Sequence, residues 1–368
     1  MGFFSHIKAT MRFMGLPKSQ RRLTFYCEGK NYWVHLEGLI KQILTTSDIP
    51  VCFITSDDDD PGLKLKHKNF QTFKINEGFI RNYLFENLQT ELMVMTMPDL
   101  HQYQVKRSKH KVHYAYIQHS LVSLHMVYRK GAFDYFDTIC CAGNHHKDEI
   151  RAMEKVYDLP KKNLIEQGYA RLDSIVAANK NKKKEQVKRA KHILIAPTWG
   201  ETCTIESGLA QKLVDDLINA EYKVTLRPHP QTIKFAKDKI DVILTKHKDN
   251  PLFAYEANVA GQQSLHDSDI MISDWSGAAL DYAFGLQKPV IFMDVPKKVN
   301  NPDYLEIGIE PFEVMIREKI GKVLPVVDNI VDAVKQIKPI NIEHEYYYKN
   351  ADSNGAKALL KLLKGVKQ

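Results

Sequence analysis

Short apolar runs alternate with amphipathic stretches along this chain. Runs of strand character are Leu23–Cys27, Val51–Thr55, Phe70–Ile75, Leu92–Thr96, Val112–Ile117 and Thr138–Ala142, with helical spacing over Tyr32–Leu44 and Phe79–Leu88 between them. A second series begins with a strand at His192–Ala196 and a helix at Ser207–Ala220. It continues with strands at Lys223–Leu226 and Asp269–Ile272, a helix at Gly277–Phe284 and a strand at Pro289–Met293. This alternation predicts parallel sheets covered by helices. Near the end, Ala358, Leu359, Leu362 and Leu363 give Asn354–Lys367 the spacing of an amphipathic helix.

The strongly basic segment NKNKKKEQVKRAK, Asn179 to Lys191, offers few core residues and reads as a linker. It divides the pattern into two α/β halves, residues 1–185 and 186–345, followed by a helical tail, 346–368, expected to pack back on the first half. In open α/β sheets, ligands bind at the carboxyl ends of the strands. Two such halves facing a central cleft would place their functional residues just after strands.

Composition narrows this picture only a little. The chain has 368 residues, 44% hydrophobic and 26% charged, as in an ordinary soluble protein with ample core. A net charge of +8 suits an anionic substrate or membrane surface but is too small to imply nucleic acid. The five cysteines include no CxxC pair, which argues against a disulfide framework or zinc site and for free thiols in a reducing compartment. No apolar run approaches the roughly 20 residues that cross a bilayer. The first residues carry charges through their apolar part and lack a small-residue cleavage site, so they are not expected to form a signal peptide. His6 departs from the myristoylation pattern. Phe3, Ile7, Met11 and Met14 follow helical spacing beside Lys8 and Arg12, a pattern that suits either an anionic membrane or packing on the protein's own core. The run Asp57 to Asp60 reads as a solvated turn rather than a metal site.

The chemistry gathers after the strands. No GxGxxG follows a strand and no GxxxxGK[ST] occurs, against dinucleotide binding and P-loop hydrolysis. His119, in YIQHS, ends a strand and has the near-neutral imidazole of a general base; backbone N–H groups of the following run, Leu121–Tyr128, could hold an anion. His113 and His125 read as structural. Thr198, Gly200 and Thr202 form a small hydroxyl-bearing loop after the first strand of the second half. In LRPHP, prolines hold Arg227 and His229 at a strand end, where an Arg fork and a cationic imidazole suit phosphate. Ser273, Asp274 and Ser276 are all N-cap residues, and Gly277 leaves room at the following helix start. An ordinary helix cap explains that stretch equally well.

Taken in order, YIQHS, GYARLDSI, IAPTW, LRPHP and ISDWSGAALDYAFGLQKPVIF resemble the CDP-glycerol glycerophosphotransferase family, over roughly residues 110 to 320. The resemblance implies a GT-B-type fold of two Rossmann-like domains, the first binding the acceptor and the second the CDP donor. It implies a transferase that moves glycerol phosphate or ribitol phosphate onto a lipid-linked or polymer acceptor, at the inner face of the membrane, without metal or other cofactor. Residue by residue, it makes His119 the base and His229 the second catalytic histidine. Arg227, Thr198, Ser273, Asp274, Ser276 and Gly277 become donor-phosphate residues. Two departures stand out: Gln118-His119-Ser120 where Trp-His-Gly is usual, and Trp275 with Gly277 where Tyr or Phe and a second Ser are usual. The first bears on the acceptor, the second on the donor's alcohol or sugar end. The rivals are a GT-B glycosyltransferase using a CMP- or UDP-sugar, a sugar-nucleotide epimerase, and a non-catalytic scaffold of the same fold.

Overall fold

The structure, a computed structural model, describes residues 3–103, 105–181, 191–258, 261–325, 329–342 and 344–365. Most of the basic linker therefore lies outside the described residues. The chain forms two compact units: Met1–Arg171 with Asn300–Ile309 and Glu345–Gln368, and Leu172–Val299 with Glu310–His344.

Unit 1 holds a seven-stranded sheet of β1 (Leu23–Cys27), β2 (Val51–Thr55), β3 (Phe70–Lys74), β4 (Leu92–Met95), β5 (His113–Ile117), β6 (Thr138–Cys141) and β7 (Asn163–Glu166). Its order is β3-β2-β1-β4-β5-β6-β7, parallel throughout. β1, β2, β4 and β6 are buried along their whole length, which explains their mainly apolar runs. The expected helix Tyr32–Leu44 is two helices, Lys30–Trp33 and Glu37–Thr46, with a tight turn at Val34–Leu36 between them. The C-terminal helix Ala351–Gly365 lies in unit 1 and buries Ala356, Leu359 and Leu363 in one core with Leu39, Ile40 and Ile43.

Unit 2 repeats the plan with β8 (His192–Ile195), β9 (Lys223–Leu226), β10 (Phe253–Tyr255), β11 (Ile270–Ser273), β12 (Val290–Met293) and β13 (Gly321–Leu324). The order is β10-β9-β8-β11-β12-β13, again parallel. Each sheet thus reverses direction at its centre, β1/β4 and β8/β11, the point where such sheets open a crevice for ligands.

The division falls earlier than the expected 185/186, because the helix Ala170–Asn181 packs on unit 2. Leu172 and Ile175 lie against Gly285, where an added Cβ would come within 2.5 Å of Ile175 Cγ2. Asn300–Ile309 returns to unit 1, where the N–H groups of Asn300 and Asn301 donate to the Met126 carbonyl.

Candidate active site

In unit 2 the sequence-predicted residues lie at the carboxyl ends of three strands, and a residue that follows a fourth joins them. The loop after β8 brings Thr198 and Trp199, β9 leads into Arg227 and His229, β11 ends at Ser273, and Lys298 follows β12. Lys298 Nζ donates to Thr198 Oγ1 at 3.2 Å and lies 4.4 Å from the centre of the Trp199 ring. The same indole stacks on the His229 imidazole, centroids 6.1 Å apart. Burial lowers the Lys298 pKa, with Cys203, Asp274 and Glu206 opposing the shift, so its charge is poorly solvated and favours an anion.

His229 is the N-cap of the helix Pro230–Phe235, and its Nδ1 accepts the Gln231 N–H at 3.1 Å. That leaves the ring proton on Nε2 as a donor. Burial, reinforced by Lys298, lowers the His229 pKa to about 4. The imidazole is therefore neutral at pH 7, not the cation expected from sequence, and Lys298 supplies the positive charge. Sequence reasoning missed Lys298; its signal was the stretch Val-Pro-Lys-Lys one residue after the apolar run Val290–Met293.

The turn after β11 separates into distinct tasks. Ser273 is fully buried, and its hydroxyl donates to the Ala196 carbonyl at 2.8 Å, so that group is already engaged within the fold. Asp274 is also buried and binds the loop after β8: it accepts the Thr198 N–H at 2.7 Å, and the Thr204 N–H and hydroxyl at 3.1 and 2.7 Å. Ser276, half-buried, caps the helix Gly277–Leu286 by accepting the Ala278 N–H at 3.3 Å. Its hydroxyl proton remains available to donate to a ligand. Trp275 points into the core: its indole donates to the Val295 carbonyl at 2.9 Å, and the Arg317 guanidinium lies 4.0 Å over its ring. The Trp at this position is thus a packing feature. Arg227 is buried and donates to the Gly261 carbonyl at 3.1 Å, with Glu256 4.0 Å from its Nε. Its charge acts from beneath the loops.

In unit 1, His119 stands two residues beyond β5 in a ring of aromatic side chains. Tyr32 meets it edge-on at 5.6 Å, and His35, stacked on Tyr169, lies 5.4 Å away. The Tyr116 hydroxyl is 3.3 Å from His119 Nδ1. Desolvation lowers the His119 pKa to about 4, with a hydrogen bond to the Ile117 carbonyl opposing it. The expected anion site at the following helix is not built. That helix spans only Leu124–Val127, and the Leu124 N–H is taken by the carboxylate of Glu149. His113 and His125 are structural as expected: His113 bonds Thr138 Oγ1 at 2.8 Å, and His125 bonds the Ile309 carbonyl at 3.0 Å. The aspartate turn is likewise local. Asp57 accepts the Lys30 and Asp59 N–H groups, Asp60 the Gly62 N–H and Thr55 hydroxyl, and Asp58 pairs with Lys74.

In sequence, the chain is 29% identical over 238 residues to the minor teichoic acid biosynthesis protein GgaB of Bacillus subtilis, covering 56% of this chain and 23% of that one. It is 28% identical over 197 residues to the teichoic acid poly(glycerol phosphate) polymerase of Bacillus spizizenii, covering 48% of this chain and 46% of that one. It thus spans less than half the length of these curated relatives. In structure, it is similar to the wall teichoic acid polymerase TagF, with a TM-score of 0.56 at 14% identity over 98% of this chain and 94% of that one. It is also similar to the UDP-GlcNAc 2-epimerase of Methanocaldococcus jannaschii, TM-score 0.59 at 12% identity, covering 93% and 99%. These likenesses show the GT-B-type fold with its two Rossmann-like sheets. The family described as CDP-glycerol:poly(glycerophosphate) glycerophosphotransferase matches residues 93–345, and the chain belongs to it.

Proposed function

We propose that this protein transfers a glycerol-phosphate or ribitol-phosphate unit from a CDP-activated donor to a hydroxyl of a lipid-linked or polymer acceptor, as in teichoic acid synthesis. The observation that carries the reading is the cluster of Lys298, Thr198, Trp199 and His229 beside the Ser276-capped helix, where one half-buried cation and several neutral donors await an anion. Those groups suit a pyrophosphate: Lys298 and the helix N-terminus carry positive charge, the His229 Nε2–H and Ser276 hydroxyl donate, and Arg227 adds charge from below. In the reaction, the acceptor oxygen attacks the β-phosphorus. A new P–O bond forms as the bond to CMP breaks, CMP leaving with the electron pair. His119 first receives the proton of the acceptor hydroxyl. Charge growing on the departing CMP is what the Lys298 cluster stabilises.

The test is product analysis. Purified protein is offered CDP-glycerol, CDP-ribitol, CMP-sugars and UDP-sugars with a lipid-linked disaccharide, and products are read by mass spectrometry. Mass gain of a glycerol- or ribitol-phosphate supports the proposal. Sugar transfer, epimerised nucleotide sugar, or binding without turnover would each overturn it in favour of one rival. His119→Ala should abolish transfer while leaving donor affinity nearly intact.

We further propose a peripheral location at the inner face of the cell membrane. The helix Phe3–Met14 exposes Phe4 and Met11 beside Lys8 and Arg12, and the neighbouring helix Phe79–Glu86 exposes Phe79 and Tyr83. Large apolar side chains flanked by cations suit an anionic lipid surface. Among the described residues, no helix is long and apolar enough to cross a membrane. Cosedimentation with phosphatidylglycerol vesicles, lost in a Phe4→Ser, Met11→Ser double variant, is the expected result; equal sedimentation of both proteins would contradict it.

A further inference from the structure

Glu28 directly follows β1, at the centre of the seven-stranded sheet where the strand order reverses. That is the position at which sheets of this kind bind ligands. The residue is half-buried overall, but its Oε2 is enclosed and accepts no hydrogen bond from any described residue. A buried carboxylate oxygen without a donor is costly, and one retained at a ligand-binding position points to a partner brought by the ligand.

The surroundings of Glu28 and His119 overlap at two tyrosines. Tyr32 and Tyr116 both feel the Glu28 charge. Tyr32 packs on the His119 ring, and the Tyr116 hydroxyl bonds His119 Nδ1. The carboxylate thus acts through its charge on the two phenols that touch the imidazole, near the carboxyl ends of β1 and β5. We propose that Glu28 is a second proton acceptor of the acceptor-binding site, holding the proton that the attacking hydroxyl releases by way of His119. The inference rests on the transferase reading above and adds the proton's destination. As the oxygen–phosphorus bond forms, the acceptor O–H bond breaks and CMP departs with the electron pair. The proton ends on the Glu28 carboxylate, and His119 is neutral before and after.

The electrostatics fit this division of labour. Burial raises the Glu28 carboxyl to about 7, with Arg81 opposing the shift and Glu77 and Asp99 adding to it. Tyr26 and Cys27 of β1 also feel its charge, and their own pKa values are raised chiefly by burial. His119, at about 4, cannot retain a proton at neutral pH, whereas a base near the working pH can.

The experiment compares pH–rate profiles of the wild type and Glu28→Gln with CDP-glycerol and a lipid-linked disaccharide. The wild-type kcat should rise with pH through about 7. In Glu28→Gln that limb should vanish and kcat fall by about 100-fold or more, the usual contribution of a general base, with the donor KM unchanged. Glu28→Asp should restore part of the rate with a displaced limb. A Glu28→Gln enzyme that keeps the limb, or more than half the turnover, would overturn the inference while leaving the transferase reading intact. If the wild type uses no CDP-linked donor, the transferase reading fails instead. Carboxyl NMR on glutamate-labelled protein then still decides the acid–base claim. One glutamate titrating near pH 7 and missing from Glu28→Gln supports it, and no such resonance refutes it.

Discussion

Asp274 holds Thr198 in place: the carboxylate at the end of β11 accepts the Thr198 backbone N–H at 2.7 Å and so ties the loop after β8 across the centre of the sheet. Its other oxygen binds both the N–H and the hydroxyl of Thr204. Asp274→Asn would place an NH2 group against one of these donors. Removing a buried charged partner costs about 2 kcal/mol or more. Urea unfolding should show that loss, and calorimetry should show weaker CDP binding, because Thr198 and Trp199 lose their anchor. A variant as stable as the wild type would mean the loop is held by something else.

Lys298 should behave in the opposite way. Its ammonium is partly desolvated, and its pKa is lowered for that reason. Lys298→Met removes the desolvation cost, so the melting temperature should hold or rise. Affinity for CDP should nevertheless fall about 10- to 100-fold, the worth of one or two charge-assisted hydrogen bonds. Added salt should weaken CDP binding in the wild type more than in the variant. Unchanged CDP affinity would remove Lys298 from the donor site.

What the sequence made legible follows from burial. β1, β2 and β9 appear at their full expected bounds: β1 and β2 because strands buried along their whole length read as mainly apolar runs, β9 with only its first residue, Lys223, exposed. β7, β10 and β13 passed unseen: each is only three or four residues long, at or near a sheet edge, with side chains largely half-buried or exposed. The site was half legible for a related reason. Position after a strand identified His119, His229 and Ser276, but not what each group does. Only coordinates show that the Ser273 hydroxyl is spent on Ala196, or that Asp274 faces two backbone donors rather than solvent. Lys298 lies in a loop, where no periodicity points inward. Glu28 did carry a signal, an acidic residue immediately after the apolar run LTFYC.

Gly285 tests the packing of the helix Ala170–Asn181 onto unit 2. A Cβ there would sit 2.5 Å from Ile175 Cγ2 and 3.2 Å from Leu172 Cδ1. Gly285→Ala improves helix propensity by up to about 1 kcal/mol, but overpacking costs about 1–3 kcal/mol. The net effect should be destabilising, and a second change, Ile175→Val, should recover part of it. Denaturant midpoints of the single and double variants measure the coupling; additive effects would show that the two residues do not meet.

Acid should unfold this protein earlier than its carboxylates alone would dictate, and His146 shows why. The ring is fully buried. Its Nδ1 accepts the Ala142 N–H at 3.2 Å, and its Nε2 lies 3.0 Å from the Val122 carbonyl. Only the neutral tautomer with its proton on Nε2 satisfies both partners; a second proton would face the Ala142 N–H. Burial, with His145 beside it, holds the His146 pKa well below the usual 6.5. His35 is depressed in the same direction by burial, with His119 and Arg171 adding to it. In the unfolded chain both rings protonate as pH falls through 6.5, while in the folded chain they do not. The unfolded state then binds more protons, so stability present above 6.5 is lost progressively below it, by up to about 1.4 kcal/mol per pH unit for each ring. Melting temperatures recorded from pH 7.5 down to 4.5 should fall steeply below pH 6.5. His146→Gln, which cannot take up a proton, should start from a lower melting temperature at pH 7.5 and lose less of it on acidification. Parallel curves for the two proteins would remove His146 from the acid response.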